Sequence, residues 1–554
     1  MFSGVSIVIP IIMLMSRRRK PNFFVYYFTF SPNILPVRGG MQVNGTWGSS
    51  AGQDVAVLTV LGGVSQLLAF GYRAALARLV GAGVMGLYQL LMPVFSVLLS
   101  LTAVGLTAAV SNLTARHLAL GDRRSVHQTL ATCLHIFFAL LLPVALFVLL
   151  CSDFLSTALL GDARTQLGLI FLVPCAALTG VENLHKHVFY GAGLVAPPAV
   201  TELLEQLVRT AAVVGLLLLF PPPYPERALG AIVAGMVVCE LCSACTLTLL
   251  YRRYFPPKNR TGPGEDRSTR YRRVSAIALP VGLNALLGNL MGAANAALLP
   301  RLLAAGGMDR NEAVARFGIL SGMTMPMLAL PTVFLGALML VLAPRLSRAA
   351  ALRQRGTVAR LVDRSLSLCA LLSLPPLAIL VVTGRTLGET IFHQPLAGEH
   401  LLLLAGVMAV SCFCSVLACV LNSTRNHRAV ALISLLGSGV QLLLTAALVP
   451  GRGLAGYAGA ALLSALLELL LLLLLTRRRL SLPLRWFHWF LGPGLAAALA
   501  GLCGNLLFRA GEMAGLPLLP RLALTALFCL LLNGVALLAQ GLDPRDLLLS
   551  RKRA

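Results

Sequence analysis

Charged residues are scarce in this sequence. Of 554 residues, Asp, Glu, Lys and Arg together make up 12%, which is about half the ~25% that is typical of a soluble domain. Hydrophobic residues make up 57%, and the mean hydropathy is +0.84. This composition excludes a soluble enzyme, a disordered chain and a disulfide-stabilised scaffold. Since each membrane-spanning helix needs about 20 apolar residues, we predict an all-α, polytopic membrane protein with about 14 transmembrane helices.

Acidic residues are rarer than basic ones: 20 Asp and Glu accompany 45 Lys and Arg, giving a net charge of +25. The basic residues lie mainly in the connections between apolar segments, where such residues orient a membrane protein and contact anionic lipids. This placement argues against a nucleic acid partner. Alternate connections, together with the C-terminal tail, carry most of the basic residues. By the positive-inside rule, both termini are expected in the cytoplasm and the protein in the cell (plasma) membrane.

Motifs of soluble catalysis are missing as well. The sequence contains no GxxxxGK[ST] loop and no HExxH motif, which argues against a nucleotide hydrolase or a zinc protease. The cysteines lie almost entirely within apolar segments, so we expect buried thiols that pack between helices. Cys239, Cys242 and Cys245 lie in one span without a nearby histidine, which favours helix packing over a metal site. We therefore predict neither an enzyme nor a bound cofactor or metal.

The predicted organisation has six spans before a basic linker and eight spans after it. The boundaries are a leader (1–50), an N-lobe with spans 1–6 (51–252), a basic cytoplasmic linker (253–272), a C-lobe with spans 7–12 (273–476), and spans 13–14 with a basic cytoplasmic tail (477–554). We hypothesise that Met41 is the native start. A weak internal repeat supports two halves: Ser111–Val126 aligns without gaps on Ala343–Val358. The alternative is a chance similarity between two basic helix ends.

Ionisable residues inside spans are functional candidates, because each costs at least ~2.5–3.5 kcal/mol to insert. Arg73 lies deep in the first span, with Gln66 two turns before it on a similar face. We predict that Arg73 contacts substrate. The alternative is a pairing with a carboxylate of the same half. Arg78 lies near the span end, so its side chain is expected to extend to the membrane surface.

Carboxylates occur in the fourth, fifth and sixth spans. Glu205 and Arg209 are four residues apart on one helix, and this order favours an intrahelical ion pair. Glu182 and Glu240 have no obvious local partner, so either is a candidate to carry a coupling proton. Lys186 is assigned to a cytoplasmic connection as an orientation signal. We predict that the other four, Glu182, Glu205, Arg209 and Glu240, serve ion coupling or pair within a cavity.

The seventh span places three amides among glycine and alanine. Asn284, Asn289 and Asn295 are spaced so that they occupy more than one face of a helix. Such a span suits either close helix packing or a bent helix that lines a polar cavity. All three are candidates for substrate binding.

A family resemblance appears between Gly71 and Asp122. The segments ARLVGAG and GLYQLLMP are its most specific parts, and the run resembles the opening of the stage V sporulation protein B group. These polysaccharide-type flippases belong to the MOP superfamily with the lipid II flippase MurJ and the MATE exporters. The resemblance implies two six-helix lobes facing across a central cavity, with two extra C-terminal helices.

The resemblance also implies a function. Members export undecaprenyl-pyrophosphate-linked saccharides for cell-wall peptidoglycan, spore cortex or polysaccharide synthesis. Lipid II flippases line their cavity with several first-lobe arginines. Here Arg73 falls in the matching region, but the middle of the second span has no arginine and position 66 is Gln. We therefore carry over Arg73 alone.

Two other functions remain open from the sequence. A MATE-like cation or drug antiporter needs an exposed cavity carboxylate, for which Glu182 or Glu240 could serve. A non-transporting scaffold subunit that binds cell-wall synthesis proteins would tolerate every cavity substitution. Replacing Arg73 by Ala distinguishes these from a flippase, because only the flippase needs a cationic cavity group. The oligomeric state and the sugar stay open.

Overall fold

The computed structural model describes residues 50–256, 264–480 and 487–540. Within these ranges all regular structure is helical, which confirms the predicted all-α class. The predicted leader with the hypothesised start at Met41, part of the predicted linker and the basic tail lie outside the described residues. Residues 54 to 540 belong to one compact unit.

The first half of the chain forms helices α1 to α7. They are α1 (Ser50–Leu99), α2 (Gly105–Ala119), α3 (Arg123–Leu150), α4 (Ser152–Phe154), α5 (Gln166–Gly191), α6 (Ala196–Leu219) and α7 (Pro225–Tyr254). A π-helical turn (Ser100–Val104) joins α1 to α2 without a break in direction. A second π-helical segment (Leu155–Leu160) and a 3₁₀ turn (Ala163–Thr165) connect α4 to α5.

The second half forms helices α8 to α16. They are α8 (Arg267–Ala305), α9 (Arg310–Gly318), α10 (Met325–Ala329), α11 (Thr332–Ala351), α12 (Arg355–Phe392), α13 (Pro395–Ser423), α14 (His427–Leu480), α15 (Gly492–Met513) and α16 (Leu518–Ala539). π-helical segments precede α10 (Ile319–Thr324) and α15 (Phe487–Leu491). The last two helices pair with each other and pack against α12.

Ten helical stretches of the described chain are long and apolar enough to cross a membrane, so the protein is a multi-pass membrane protein. Two of them, of 59 and 54 residues, far exceed the ~20 residues that a span needs. Both bend at a glycine with a non-helical backbone, Gly81 (φ 73°) and Gly453 (φ 57°). α6 is long enough to span but carries Glu202, Glu205 and Arg209. The count of fourteen spans therefore stays a prediction.

The two aligned segments of the internal repeat form matching hairpins. α2 ends at Ala119 and α3 begins at Arg123, while α11 ends at Ala351 and α12 begins at Arg355. In each turn one residue has a left-handed backbone, Gly121 (φ 72°) and Arg353 (φ 53°). The turn hydrogen bonds also correspond, since all four backbone bonds of the first turn have equivalents in the second. This agreement favours a real repeat over chance similarity of basic helix ends.

The buried apolar residues form three clusters. One cluster contains residues of both halves, such as Leu90 and Leu229 with Phe317 and Phe392. The other two are separate: one lies mainly in the first half around Phe137, and one lies within the second half. The joint cluster surrounds the hairpins at Gly81, Gly307 and Gly453, and we call this the closed end. The separate clusters adjoin the hairpins at Gly121 and Arg353, which we call the basic end.

A cavity of about 420 Å³ opens between α8 and α14. Polar and apolar residues line it together, with no carboxylate, lysine or arginine among them: Asn284, Gly288, Asn422, His427, Val430, Ala431, Ser434, Leu435 and Ser438. Asn422 and His427 flank a basic-end hairpin, so the cavity lies in the basic-end part of the molecule. The predicted polar lining of the seventh span is therefore present at Asn284.

Candidate functional site

Arg73 and Gln66 are both exposed on α1. Phe70 lies between them on the same face of the helix, since it is one turn from each. The Phe70 ring contacts the ring of Phe392, at the end of α12 in the second half, with centroids 5.8 Å apart. The face that carries Arg73 and Gln66 is therefore turned towards the opposite half of the molecule.

Arg73 is free of ion pairs among the residues that the structure describes, and this removes the support for the alternative of a structural pairing. An exposed guanidinium that no carboxylate neutralises keeps all its N–H donors for a ligand. Arg suits phosphate groups because its planar fork donates two parallel hydrogen bonds. Chemically, this position can hold an anionic group between the two halves.

The three asparagines of α8 have different surroundings. Asn289 donates to the backbone oxygen of Ser96 (3.3 Å) and to Ser100 Oγ (2.5 Å), so it holds α8 against α1 and its π-helical continuation. Asn295 lies against Tyr457 of α14. Asn284 is exposed and lines the cavity. Of the three, Asn284 is the one that a soluble head group can reach through that cavity.

α8 also packs very closely on α2. A Cβ atom on Gly105 would lie 2.2 Å from the backbone oxygen of Ala278, and one on Gly282 would lie 3.5 Å from Gly105 Cα. Only glycine at position 105 allows this approach. The seventh span therefore has both features that its sequence allowed: Asn289 takes part in helix packing, and Asn284 lines a cavity.

A second group of ionisable residues is buried where α5, α6 and α7 meet, and we call it the charge cluster: Glu182, Lys186, Glu205, Arg209 and Glu240. Lys186 Nζ lies 2.9 Å from Glu182 Oε1. Arg209 pairs with Glu205, and its Nη2 also lies 3.2 Å from Glu240 Oε1. The predicted intrahelical pair is present, and a second carboxylate joins it from α7.

Two expectations about this cluster were wrong. Glu182 and Glu240 do have partners, Lys186 on the same helix and Arg209 on the neighbouring one. Glu240 Oε2 also accepts a hydrogen bond from Thr179 Oγ1 at 2.7 Å. Lys186 lies inside α5 rather than in a connection, with its side chain only 13% exposed, because α5 continues to Gly191.

The charge cluster also has a spacing that a metal ion could use. One ligand atom each from Glu205, Cys239 and Glu240 lie within 4.8 Å of one another. However, the Arg209 guanidinium already contacts both carboxylates, and a bound cation would have to displace it. The arrangement is therefore an ion-pair network, in which three carboxylates face two cationic side chains.

Two arginines at the closed end have roles that the sequence does not reveal. Arg78 was expected to extend to the membrane surface, but its Nε donates to the backbone oxygen of Ile391 (2.6 Å) and its Nη2 to that of Thr390. Arg301 donates to the backbone oxygen of Ala158. All three bonds cross between the halves, and a backbone acceptor leaves no pattern in the sequence.

Family models cover most of the chain. Residues 51–350 match the family described as polysaccharide biosynthesis protein, and residues 326–519 match the family described as lipid II flippase MurJ. Among curated proteins, stage V sporulation protein B of Bacillus subtilis (strain 168) is 26% identical over 73% of this chain and 79% of its own length. Sporulation protein YkvU of the same organism is 21% identical over 64% of this chain and 78% of its length.

Solved structures share the fold. The lipid II flippase MurJ in an inward closed conformation superposes with a TM-score of 0.61 at 10% identity, covering 89% of this chain and 100% of that one. A multidrug resistance MATE family transporter of the MOP superfamily, in an inward-facing conformation, gives a TM-score of 0.61 at 13% identity, covering 77% and 98%. The solved structures confirm the fold that the resemblance implied, and the family models with the Bacillus subtilis relative confirm the resemblance predicted from Gly71–Asp122.

Proposed function

The chain belongs to the polysaccharide biosynthesis protein family, whose model matches more than half of it, and from this premise we propose that it is a flippase for polyprenyl-pyrophosphate-linked saccharides. Such a head group does not cross ~30 Å of hydrocarbon unaided. The protein supplies donors that replace the hydration of the head group, while the polyprenyl tail stays in lipid. The family matches favour a transporter over an enzyme, and no chemical step is required.

The observation that carries this proposal is the exposed guanidinium of Arg73, which has no ion-pair partner within residues 50–256, 264–480 and 487–540, on a face turned towards the second half. It receives the pyrophosphate, with the Gln66 amide two turns away on the same face. Asn284 and the other polar groups of the cavity receive sugar hydroxyls. We do not include Asn289 and Asn295 among the proposed substrate-binding residues, because Asn289 bridges two helices and Asn295 lies against Tyr457.

The two halves act as lobes in alternating access. They share a joint apolar cluster at the closed end and have separate clusters at the basic end. We assign the basic end to the cytoplasm from the distribution of arginine and lysine, so both termini lie there. In this state the cleft accepts its substrate from the cytoplasmic leaflet. The lobes correspond to residues 51–252 and 273–476, with the linker between them.

The charge cluster is assigned to ion coupling. When all its groups are ionised, three carboxylates face two cations, so the cluster has room for one proton or one monovalent cation. A cation exporter would need one of these carboxylates free of partners, yet each of Glu182, Glu205 and Glu240 contacts Lys186 or Arg209. Their pairing favours the flippase over the MATE-like antiporter.

The test is reconstitution into liposomes with fluorescent polyprenyl-pyrophosphate saccharides. Arg73→Ala is expected to lower the flipping rate by at least tenfold, and Arg73→Lys to retain part of it, since the charge remains but the planar fork is lost. Arg385→Ala is the control, because the Arg385 side chain is 75% exposed and already lies beside a carboxylate, that of Glu399. Equal flipping by the parent and Arg73→Ala would exclude this site. Export of a cationic dye by Arg73→Ala at the parent rate would favour the antiporter.

A further inference from the structure

Two arginines at the closed end, Arg78 and Arg301, have similar surroundings. Arg78 lies one turn before the bend at Gly81, near the end of the first span of its half. Arg301 lies within two turns of Gly307, near the end of α8, which is the first span of the second half. Each reaches across to a backbone oxygen in the other half, Arg78 to Thr390 and Ile391 and Arg301 to Ala158.

The acceptors are equivalent under the internal repeat. Ala158 and Thr390 are separated in the sequence by the same number of residues as Gly121 and Arg353, the left-handed residues of the matching hairpins. The same number separates Gly161 (φ 79°) from His393 (φ 54°), the left-handed residues that end the two acceptor helices. The contacts are therefore reciprocal: each half donates an arginine and each half offers the end of its third span.

The acceptor sites are helix C-termini. The last four carbonyls of a helix have no partner within it, and this end carries the negative pole of the helix dipole. In α12 the His393 N–H bonds to Glu389 and the Gln394 N–H to Gly388, which leaves the oxygens of Thr390 and Ile391 for the guanidinium. A cationic side chain at such a terminus is stabilising.

The Arg301 site is shaped around its guanidinium. A Cβ atom on Gly161 would lie 2.6 Å from Arg301 Nε, so any side chain at this position would push the guanidinium away from where it now lies. The neighbouring carboxylate does not hold Arg301, because Asp162 is bound by Arg164 through Nε (2.9 Å) and Nη2 (2.6 Å). The backbone oxygen is the partner that ties Arg301 to the first half.

We propose that Arg78 and Arg301 form a reciprocal pair of latches that hold the closed end shut, each by capping the C-terminal turn of a helix in the opposite half. Opening this end breaks both caps and exposes the carbonyls to water. Two conformations of a transporter differ by only a few kcal/mol in free energy. Two charge-assisted caps are therefore enough to determine which conformation is more populated. The consequence for transport rests on the proposed flippase function, but the latch itself does not.

The experiment measures the distance between the halves at the closed end in the full-length protein without substrate. Spin labels are placed at Tyr224 and Glu399, which are exposed on opposite halves, after replacement of the exposed Cys242 and Cys245 by Ser. Arg78→Ala and Arg301→Ala are each expected to raise the ratio of separated to closed molecules by about tenfold, the worth of one charge-assisted hydrogen bond. The double variant is expected to raise it further.

Two further variants complete the test. Arg452→Ala removes another exposed arginine of the closed end, beside Gly453, and is expected to leave the distances unchanged. Arg78→Lys keeps the charge but bonds less well to two carbonyls at once, so an intermediate ratio is expected and a folding defect is not. If the double variant and Arg78→Lys both keep the distance distribution of the parent, there is no latch. Because no substrate is present, this result is independent of whether Arg73→Ala stops flipping.

Discussion

Arg209 lies between two buried carboxylates, and its loss would leave both without a cation. Breaking a buried ion pair costs about 3–5 kcal/mol because an uncompensated charge stays in a poorly solvated site. We expect Arg209→Leu to lower the thermal unfolding midpoint in detergent strongly and Arg209→Lys to lower it less. Glu312→Gln breaks an exposed pair with Arg316 and should change the midpoint little. A small effect of Arg209→Leu would mean that Glu205 and Glu240 are protonated or hydrated.

The charge cluster shows which pairings a sequence reveals. Glu205 and Arg209 are four residues apart on one helix, so their pair was predictable. Glu182 and Lys186 have the same spacing, but the pair was missed because Lys186 was counted in a connection that α5 in fact includes. Glu240 is on another helix from Arg209, and only the packing of α6 on α7 brings them together. Local pairs follow from periodicity, whereas pairs between helices require the fold.

At the scale of single elements, the two matching hairpins differ in one informative residue. Gly121 adopts a left-handed backbone without strain, whereas Arg353 adopts it with a side chain, at a cost of about 1–2 kcal/mol. Arg353→Gly is expected to raise the thermal unfolding midpoint, and Gly121→Arg is expected to lower it. Measuring the two variants side by side in detergent tests whether the turns are equivalent. Changes in the same direction would contradict the equivalence.

The close approach of α8 and α2 gives a second prediction for an element. A methyl group on Gly105 would meet the backbone oxygen of Ala278 at 2.2 Å, and a backbone atom cannot move aside without moving its helix. Gly105→Ala is therefore expected to destabilise the protein by about 1–3 kcal/mol, as overpacking does. Gly288→Ala is the matched control on α8, since nothing lies within 4 Å of its Cβ position. Equal unfolding midpoints for both variants would refute the close packing.

The helices themselves were largely predictable, and their boundaries and bends were not. Apolar runs set the spans, and the repeat around Gly121 and Arg353 was visible in the sequence. Gly81 and Gly453 bend long helices, but glycine is common in this chain and its backbone conformation leaves no pattern. The arrangement of α8 was open for the same reason: Asn284 and Asn289 look alike in sequence, and only the neighbouring helix makes one a bridge and leaves the other exposed.

At the scale of the whole molecule, the pattern of buried clusters could not be read from the chain. Apolar residues fill every span, so hydropathy does not distinguish a surface that faces lipid from one that faces the other half. The joint cluster at the closed end depends on which helices meet there. The candidate site shows the same limit of the sequence. The charge of Arg73 identified it as a candidate, but only the contact of Phe70 with Phe392 shows which way its helix face is turned.

The membrane potential is the expected energy source for the proposed transport. The pyrophosphate head is anionic, and an inside-negative potential contributes ~2.3 kcal/mol per charge per 100 mV to its outward movement. The return of an empty cleft that carries the Arg73 charge is favoured by the same field, so both half-cycles run downhill without ATP. We expect flipping in liposomes to accelerate when a potassium diffusion potential makes the compartment at the basic end negative, and to slow when the sign is reversed. A neutral polyprenyl saccharide without the pyrophosphate is the control, because its complete transport cycle moves no net charge. Equal rates for the charged lipid in polarised and depolarised vesicles would show that the field does not drive the step, and the charge cluster would then be the remaining candidate for coupling.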